Sequence, residues 1–202
     1  PSSGTVTVAG VDPAGSNGSA ARRSLGFLPE NVAFHGAMTG AELLSFYAQL
    51  KGHSPKKNAA LLERVGIAAA AHRRVSTYSK GMRQRVKVAA ALVHEPPVLL
   101  LDEPFNGMDP RQRLHMMELL TSMAAAGRTI LFSSHILAEV ERLAQSVLVI
   151  VAGRLAASGD FREIRRLMTD RPHTFTIHSS DNRRLAAALL NCEPVFGVEL
   201  SD

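Results

Sequence analysis

Val98-Leu99-Leu100-Leu101-Asp102-Glu103-Pro104 is the stretch whose reading decides the fold. Four apolar residues in a row read as a buried strand, two carboxylates close it, and a proline stops it. In an open parallel sheet, ligands bind beyond the carboxyl ends of the strands. Adjacent acids at such an end suit magnesium and the activation of a water molecule. By itself the run reads equally well as an ordinary solvated strand terminus. Its company decides. Tyr78-Ser79-Lys80-Gly81-Met82-Arg83-Gln84-Arg85 precedes it, Asn106-Gly107-Met108-Asp109-Pro110 follows at once, and Ser133-Ser134-His135 comes further on.

Outward from this strand, strands and helices alternate, the pattern of a parallel α/β sheet. Residues 5–9 and 25–28 are expected as short strands with a loop across 12–18 between them. Thr39-x-x-Glu42 is a capping box that opens a helix closed by Gly52. Ser54-Pro55 opens a second helix, ended by Gly66. A third runs from about Ser79 to Val93, and Pro96-Pro97 separates it from the Val98 strand. Asp109-Pro110 caps the next helix, whose Met116, Leu119, Leu120 and Met123 recur at helical spacing as a core stripe. Residues 129–132 read as strand, 137–144 as helix and 147–151 as strand. Gly153 turns a hairpin into 154–157, and Asp160-x-x-Glu163 opens a short basic helix. Beyond Pro172, strands at 173–178 and 194–200 are expected to flank a helix at 181–190.

The 202 residues suffice for one domain with a small appendage. Hydrophobic residues make up 46%, which excludes a disordered chain. There are 23 basic and 18 acidic residues, and 23 − 18 gives +5. The basic residues come in short clusters, which suits a phosphate ligand or a nearby anionic membrane as well as nucleic acid. Trp is absent and Tyr occurs twice, so no aromatic-rich strand offers bases a stacking platform. One cysteine, Cys192, excludes an internal disulfide. The longest clean apolar runs, 147–152 among them, are far short of the ~20 residues of a spanning helix. The sequence opens at Pro1 in a Pro-Ser-Ser-Gly turn, which reads as a start inside a domain.

In this order and spacing the segments resemble the ATP-binding subunit of ABC transporters over about residues 1–167. Tyr78-Ser79-Lys80-Gly81-Met82 looks like a variant of the family's signature loop, which implies a nucleotide-binding role for Ser79, Lys80, Gly81 and Met82. Independently of the name, a serine hydroxyl and backbone N–H groups at a helix N-terminus suit an anion, and equally an ordinary Ser cap. Asp102 resembles the aspartate that holds magnesium. Glu103 stands where the family has its catalytic base, and His135 where it has the switch histidine at the γ-phosphate. Asp109 matches the loop aspartate that communicates across the dimer, and it serves equally as a helix cap. Leu28-Pro29-Glu30 occupies the place of the family's Q-loop. Glu30 stands there for glutamine, and it can approach magnesium but cannot donate as an amide does.

The fold so implied is α/β: a P-loop NTPase-type parallel sheet core with a helical subdomain at about 34–93 and a small α+β C-terminal appendage. The ATPase domain is expected over 1–168 and the partial appendage over 169–202. No G-x-x-x-x-G-K-[ST] phosphate loop occurs in the 202 residues. The simplest reading is an N-terminal truncation, with a natural degenerate protein as the alternative. Charge-assisted hydrogen bonds contribute ~1.5–3 kcal/mol each, so lacking several costs ~6 kcal/mol or more. The chain alone is therefore expected neither to bind ATP usefully nor to hydrolyse it.

The resemblance implies a Mg2+-dependent ATPase that powers an integral membrane permease of exporter type. It would sit peripherally at the cytoplasmic face of the membrane, as a homodimer or pseudo-dimer, with no nucleic acid partner. Residues 28–34 and 73–81 look closest in wording to the ATPase of the nitrous-oxide reductase maturation transporter, which implies copper or sulfur delivery. The alternatives are a soluble family member acting on ribosomes or DNA, and a non-catalytic fragment.

Overall fold

The computed structural model describes residues 3–167, 175–192, 195 and 197–200. They form two compact units, Pro1–Leu143 and Ala144–Asp202. The first holds α1 (Gly18–Arg23), β1 (Leu25–Leu28), α2 (Gly40–Leu50), α3 (Asn58–Arg64), α4 (Lys80–Leu92), β2 (Val98–Asp102), α5 (Pro110–Ala125), β3 (Thr129–Ser133) and α6 (Leu137–Leu143). The second holds β4 (Val147–Val151), β5 (Arg154–Gly159), α7 (Phe161–Leu167) and α8 (Asn182–Leu190). The break in compactness falls before the hairpin, not at the 168/169 boundary expected from the sequence.

β1, β2 and β3 form a parallel sheet in that order. Leu28 pairs with Leu101, and Asp102 with Ser133, so the carboxyl ends of the three strands open on one edge. Successive side chains alternate between faces. Leu28, Leu99 and Leu101 are buried on the face that α4 and α5 cover, whereas Phe27 and Leu131 are 58% and 56% exposed on the other. Gly26 of β1 is a packing requirement. A Cβ there would lie 2.4 Å from the Ala91 carbonyl oxygen and 2.6 Å from Leu99 Cδ2.

α2, α4 and α5 begin at the expected capping residues Thr39, Ser79 and Asp109, and the helix expected from Ser54-Pro55 starts as a 3₁₀ turn, Pro55–Lys57, before α3. Thr39 and Glu42 make the full capping box of α2, with Thr39 N–H donating to Glu42 Oε2 at 2.8 Å and Glu42 N–H to Thr39 Oγ1 at 3.2 Å. The expected core stripe of α5 is buried, with Met116 and Leu120 at 0% exposure. α4 has the deepest face: Val86, Val88 and Ala89 are fully buried between α2 and β1.

Three expectations fail. Residues 5–9 form no strand, only an isolated antiparallel bridge between Val8 and Val11. Ala9 and Gly10 both take positive φ, 50° and 77°, and fold the segment back on itself before a ladder can start. The loop expected across 12–18 gives way at Gly18 to α1, whose short run of Gly, Ser and Ala carries no periodicity to announce it. In the appendage, 175–178, 195 and 197–200 carry no strand. Residues 173, 174, 194 and 196 of the two expected strands lie outside the described residues. Among the described residues beyond 168 the regular element is α8, and none of its residues is buried.

Candidate functional site

The register of the sheet assembles the site. β2 ends on Asp102, which is exposed. Glu103 then leaves the strand with φ 46°, in the left-handed region that non-glycine residues rarely adopt. Three hydrogen bonds hold it there. Gln84 Nε2 donates to the carbonyls of Glu103 (3.0 Å) and Pro104 (3.2 Å), and Glu103 N–H donates to Ser133 Oγ at 3.0 Å. The Ser133 hydroxyl in turn donates to Asp102 Oδ1. Ser133 therefore bonds both members of the acidic pair, because parallel pairing places it opposite Asp102.

Gln84 and Ser133 are the positioning residues that sequence reasoning missed. The signal for Gln84 was an amide on a helix face otherwise filled by Gly81, Arg85 and Val88 at helical spacing, all buried. Ser133 stood inside the quoted Ser-Ser-His run, but only the strand register reveals its partner.

His135 follows β3 and meets Glu103. Its Nδ1 lies 2.8 Å from Glu103 Oε1, and its backbone N–H donates to the same oxygen at 3.1 Å. A carboxylate oxygen only accepts, so Nδ1 carries the proton and Nε2 faces outward. The ring is 74% exposed, and the Glu103 carboxylate holds the imidazole pKa above its usual value, through the hydrogen bond first and its charge second. Glu103 Oε2 is left to accept a proton from elsewhere.

The signature segment and the Asp109 loop touch each other. Ser79 caps α4, its Oγ accepting Met82 N–H at 3.2 Å, and its hydroxyl proton stays available to a further acceptor. Met82 is half-buried against the core, while Ser79 and Lys80 are exposed. Gly81 sits so close to the loop that a Cβ would lie 2.6 Å from Gln112 Oε1 and 3.0 Å from the Gly107 carbonyl oxygen. Gly107 (φ 75°) is likewise covered by the Lys80 stem. Asp109 caps α5, with Gln112 N–H donating to Oδ1 at 2.8 Å.

Glu30 ends the β1 segment, exposed. Lys87 Nζ donates to its backbone carbonyl at 3.2 Å and ties this segment to α4. Burial first, then the neighbouring Arg83, lowers the Lys87 pKa. Its charge matters to Glu30, since the two attract.

Among the described residues no cluster of three or more His, Cys, Asp or Glu is arranged to hold a metal ion. Magnesium does not need one. It usually binds through one or two carboxylates and completes its shell with waters and substrate phosphates. Asp102 fits that mode, since one oxygen is held by Ser133 and the carboxylate is exposed, and Glu30 stands at the adjacent strand end.

The sequence model of the ABC transporter family matches residues 1–106, and the chain belongs to that family. It is 32% identical over 197 residues to the daunorubicin/doxorubicin resistance ATP-binding protein DrrA of Streptomyces peucetius, covering 96% of this chain and 59% of that protein. It is 34% identical over 161 residues to the linearmycin resistance ATP-binding protein LnrL of Bacillus subtilis, covering 78% and 51%. The chain thus spans little more than half the length of these relatives. A solved ATP-binding subunit of an ABC transporter superposes with a TM-score of 0.74 at 30% identity, covering 85% of this chain and 73% of that one. Domains of this family bind ATP, in general with Mg2+, and the P-loop NTPase-type α/β reading of the fold holds.

Proposed function

We propose that this chain contributes the catalytic half-site of an exporter-type ABC ATPase. The observation that carries it is the contact of His135 with Glu103 beside Asp102 at the carboxyl ends of two paired strands. Bound Mg2+ would neutralise charge on the ATP phosphates, and Asp102 with Glu30 would hold it. Glu103 then accepts the proton of the attacking water on its free oxygen, since the other oxygen is engaged by His135. His135 turns its outer nitrogen toward the γ-phosphate. Ser79, Lys80, Gly81 and Met82 offer a hydroxyl, a cation and a helix N-terminus to the phosphate of a facing subunit, and Asp109 lies at that same contact.

The working unit in this reading is a homodimer or pseudo-dimer of ATPase subunits seated on an integral membrane permease at the cytoplasmic face. A groove on the helical subdomain, lined by Met38, Glu42, Phe46 and His72, supports such a seat. The names of the two resistance-linked relatives support export over action on ribosomes or DNA. The nitrous-oxide reductase reading is supported only by the wording of residues 28–34 and 73–81. For the 202 residues alone, the lack of a phosphate-loop motif supports weak or no ATP binding.

The test is turnover in the assembled transporter. Glu103→Gln lowers the rate ~10²–10⁴-fold, the usual cost of removing a general base. Turnover near wild type in Glu103→Gln, with Asp102→Asn inactive, overturns the assignment. Co-purification with an integral membrane protein supports the transporter reading, and with ribosomes or DNA the alternative.

A further inference from the structure

One carboxylate beside the His135 loop is buried without being part of the site. Glu139, in the first turn of α6, is only 2% exposed, although α6 is otherwise largely accessible. A carboxylate is costly to bury unless its partners compensate it. Glu139 Oε2 accepts the Ser134 hydroxyl at 2.5 Å, and Oε1 lies 3.2 Å from Arg113 Nε of α5. The Arg113 contact is one of charge, not an aligned hydrogen bond.

Ser134 Oγ also accepts the N–H of Ile136 at 3.0 Å, so one hydroxyl braces the chain on both sides of His135. From the opposite side Glu103 holds the His135 N–H. The histidine is thus suspended between the end of β2 and the start of α6. Arg113 lies in the first turn of α5, where its N–H donates to the Asp109 carbonyl at 2.9 Å.

We propose that Glu139 and Arg113 are positioning residues that act through Ser134: they set the attitude of His135 and link it mechanically to the loop ending at Asp109. This rests on the reading of His135 as a site residue. A link of this kind works because water does not compete for it. Glu139 is desolvated, so removing either contact leaves a charge or hydroxyl uncompensated. Movement of the Asp109 loop, which opens α5, then reaches His135 through one ion pair and one hydroxyl.

The experiment is nuclear magnetic resonance of the 202-residue chain at one fixed pH, following amide exchange and the Nδ1 nitrogen shift of His135. Ser134→Ala should accelerate His135 amide exchange about tenfold, the loss of one net hydrogen bond. It should also move the Nδ1 shift while leaving the Val140 and Leu143 amides of α6 unchanged. Ser134→Thr, which keeps the hydroxyl, should restore both signals. Arg113→Gln should reproduce the His135 change and extend it to the Gln112 amide at the Asp109 cap. Uniformly faster exchange along α6 in Arg113→Gln would mean local unfolding and overturn the proposal. Glu103→Gln separates the two levels. An unchanged Nδ1 shift there overturns the site reading and the proposal with it. A changed shift there, beside an unchanged His135 in Ser134→Ala, overturns the proposal alone.

Discussion

His135 meets Glu103 twice through one oxygen: ring Nδ1 at 2.8 Å and backbone N–H at 3.1 Å both reach Oε1. The doubled contact leaves the second oxygen of the carboxylate and the outer nitrogen of the imidazole pointing away from each other's bond. A water and a phosphate can then be served by two groups that hold one another in place. The left-handed backbone of Glu103 fits the same logic, since strain persists only where surrounding bonds over-determine it.

The first prediction concerns pH. Glu103 raises the His135 pKa above 6.5 in the folded chain. A raised histidine stabilises the fold fully below its unfolded pKa and loses that contribution as pH rises through the folded value. Glu103→Gln should therefore bring the His135 titration midpoint down toward the ordinary value. The melting temperature difference from wild type that the pair causes should be largest at pH 6 and shrink by pH 8.5. An unmoved midpoint by proton resonance contradicts the contact.

The second prediction concerns Ser79 in trans. Ser79→Arg, in the ATPase subunit as it occurs in its transporter, should leave ATP binding to the monomer nearly intact. It should block ATP-driven dimerisation by filling the space meant for a phosphate, beyond the ~1 kcal/mol loss of the helix cap. Light scattering in a Glu103→Gln background reads this directly. Normal dimerisation would leave Ser79 as a plain helix cap.

Gly81→Ala offers a structural test of the contact between the signature segment and the Asp109 loop. The added methyl would stand 2.6 Å from Gln112 Oε1 and 3.0 Å from the Gly107 carbonyl. The flexible Gln112 side chain can yield, but the Gly107 backbone yields less. A destabilisation of about 1–3 kcal/mol is expected, as for other overpacked sites. It should come with faster amide exchange at Gln112, whose N–H is capped by Asp109. Urea unfolding unchanged from wild type would show that the two segments do not pack.

His94 sets an acid limit. It is 6% exposed, donates Nε2–H to the Leu25 carbonyl at 3.1 Å, and has no hydrogen-bond partner for Nδ1. Burial first, then the nearby Lys51, pushes its pKa down to about 4. A histidine kept neutral by folding stabilises the fold above its unfolded pKa, and that contribution is lost as pH falls from about 6.5 through about 4. The slope is at most about 1.4 kcal/mol per pH unit. His94→Gln should flatten the fall in melting temperature across that window. A slope equal to wild type would assign acid sensitivity elsewhere.

Much was legible in the chain itself. The apolar run ending in Asp102-Glu103, the Thr39 and Asp109 caps and the α5 stripe depend on residues within a few positions of one another. Local propensity and periodicity therefore fix the helix starts, the helix faces and the order of elements. The family likeness rested on such local runs as well. What only tertiary structure decided is which distant residues meet. Ser133 bonds both acids because of strand register, Gln84 holds Glu103 because α4 lies across the end of β2, and Glu139 is buried because Arg113 and Ser134 converge on it. The strand expected at residues 5–9 failed for the complementary reason. A strand is stabilised by pairing with a neighbour that its own sequence cannot specify, whereas a capped helix satisfies its backbone within itself.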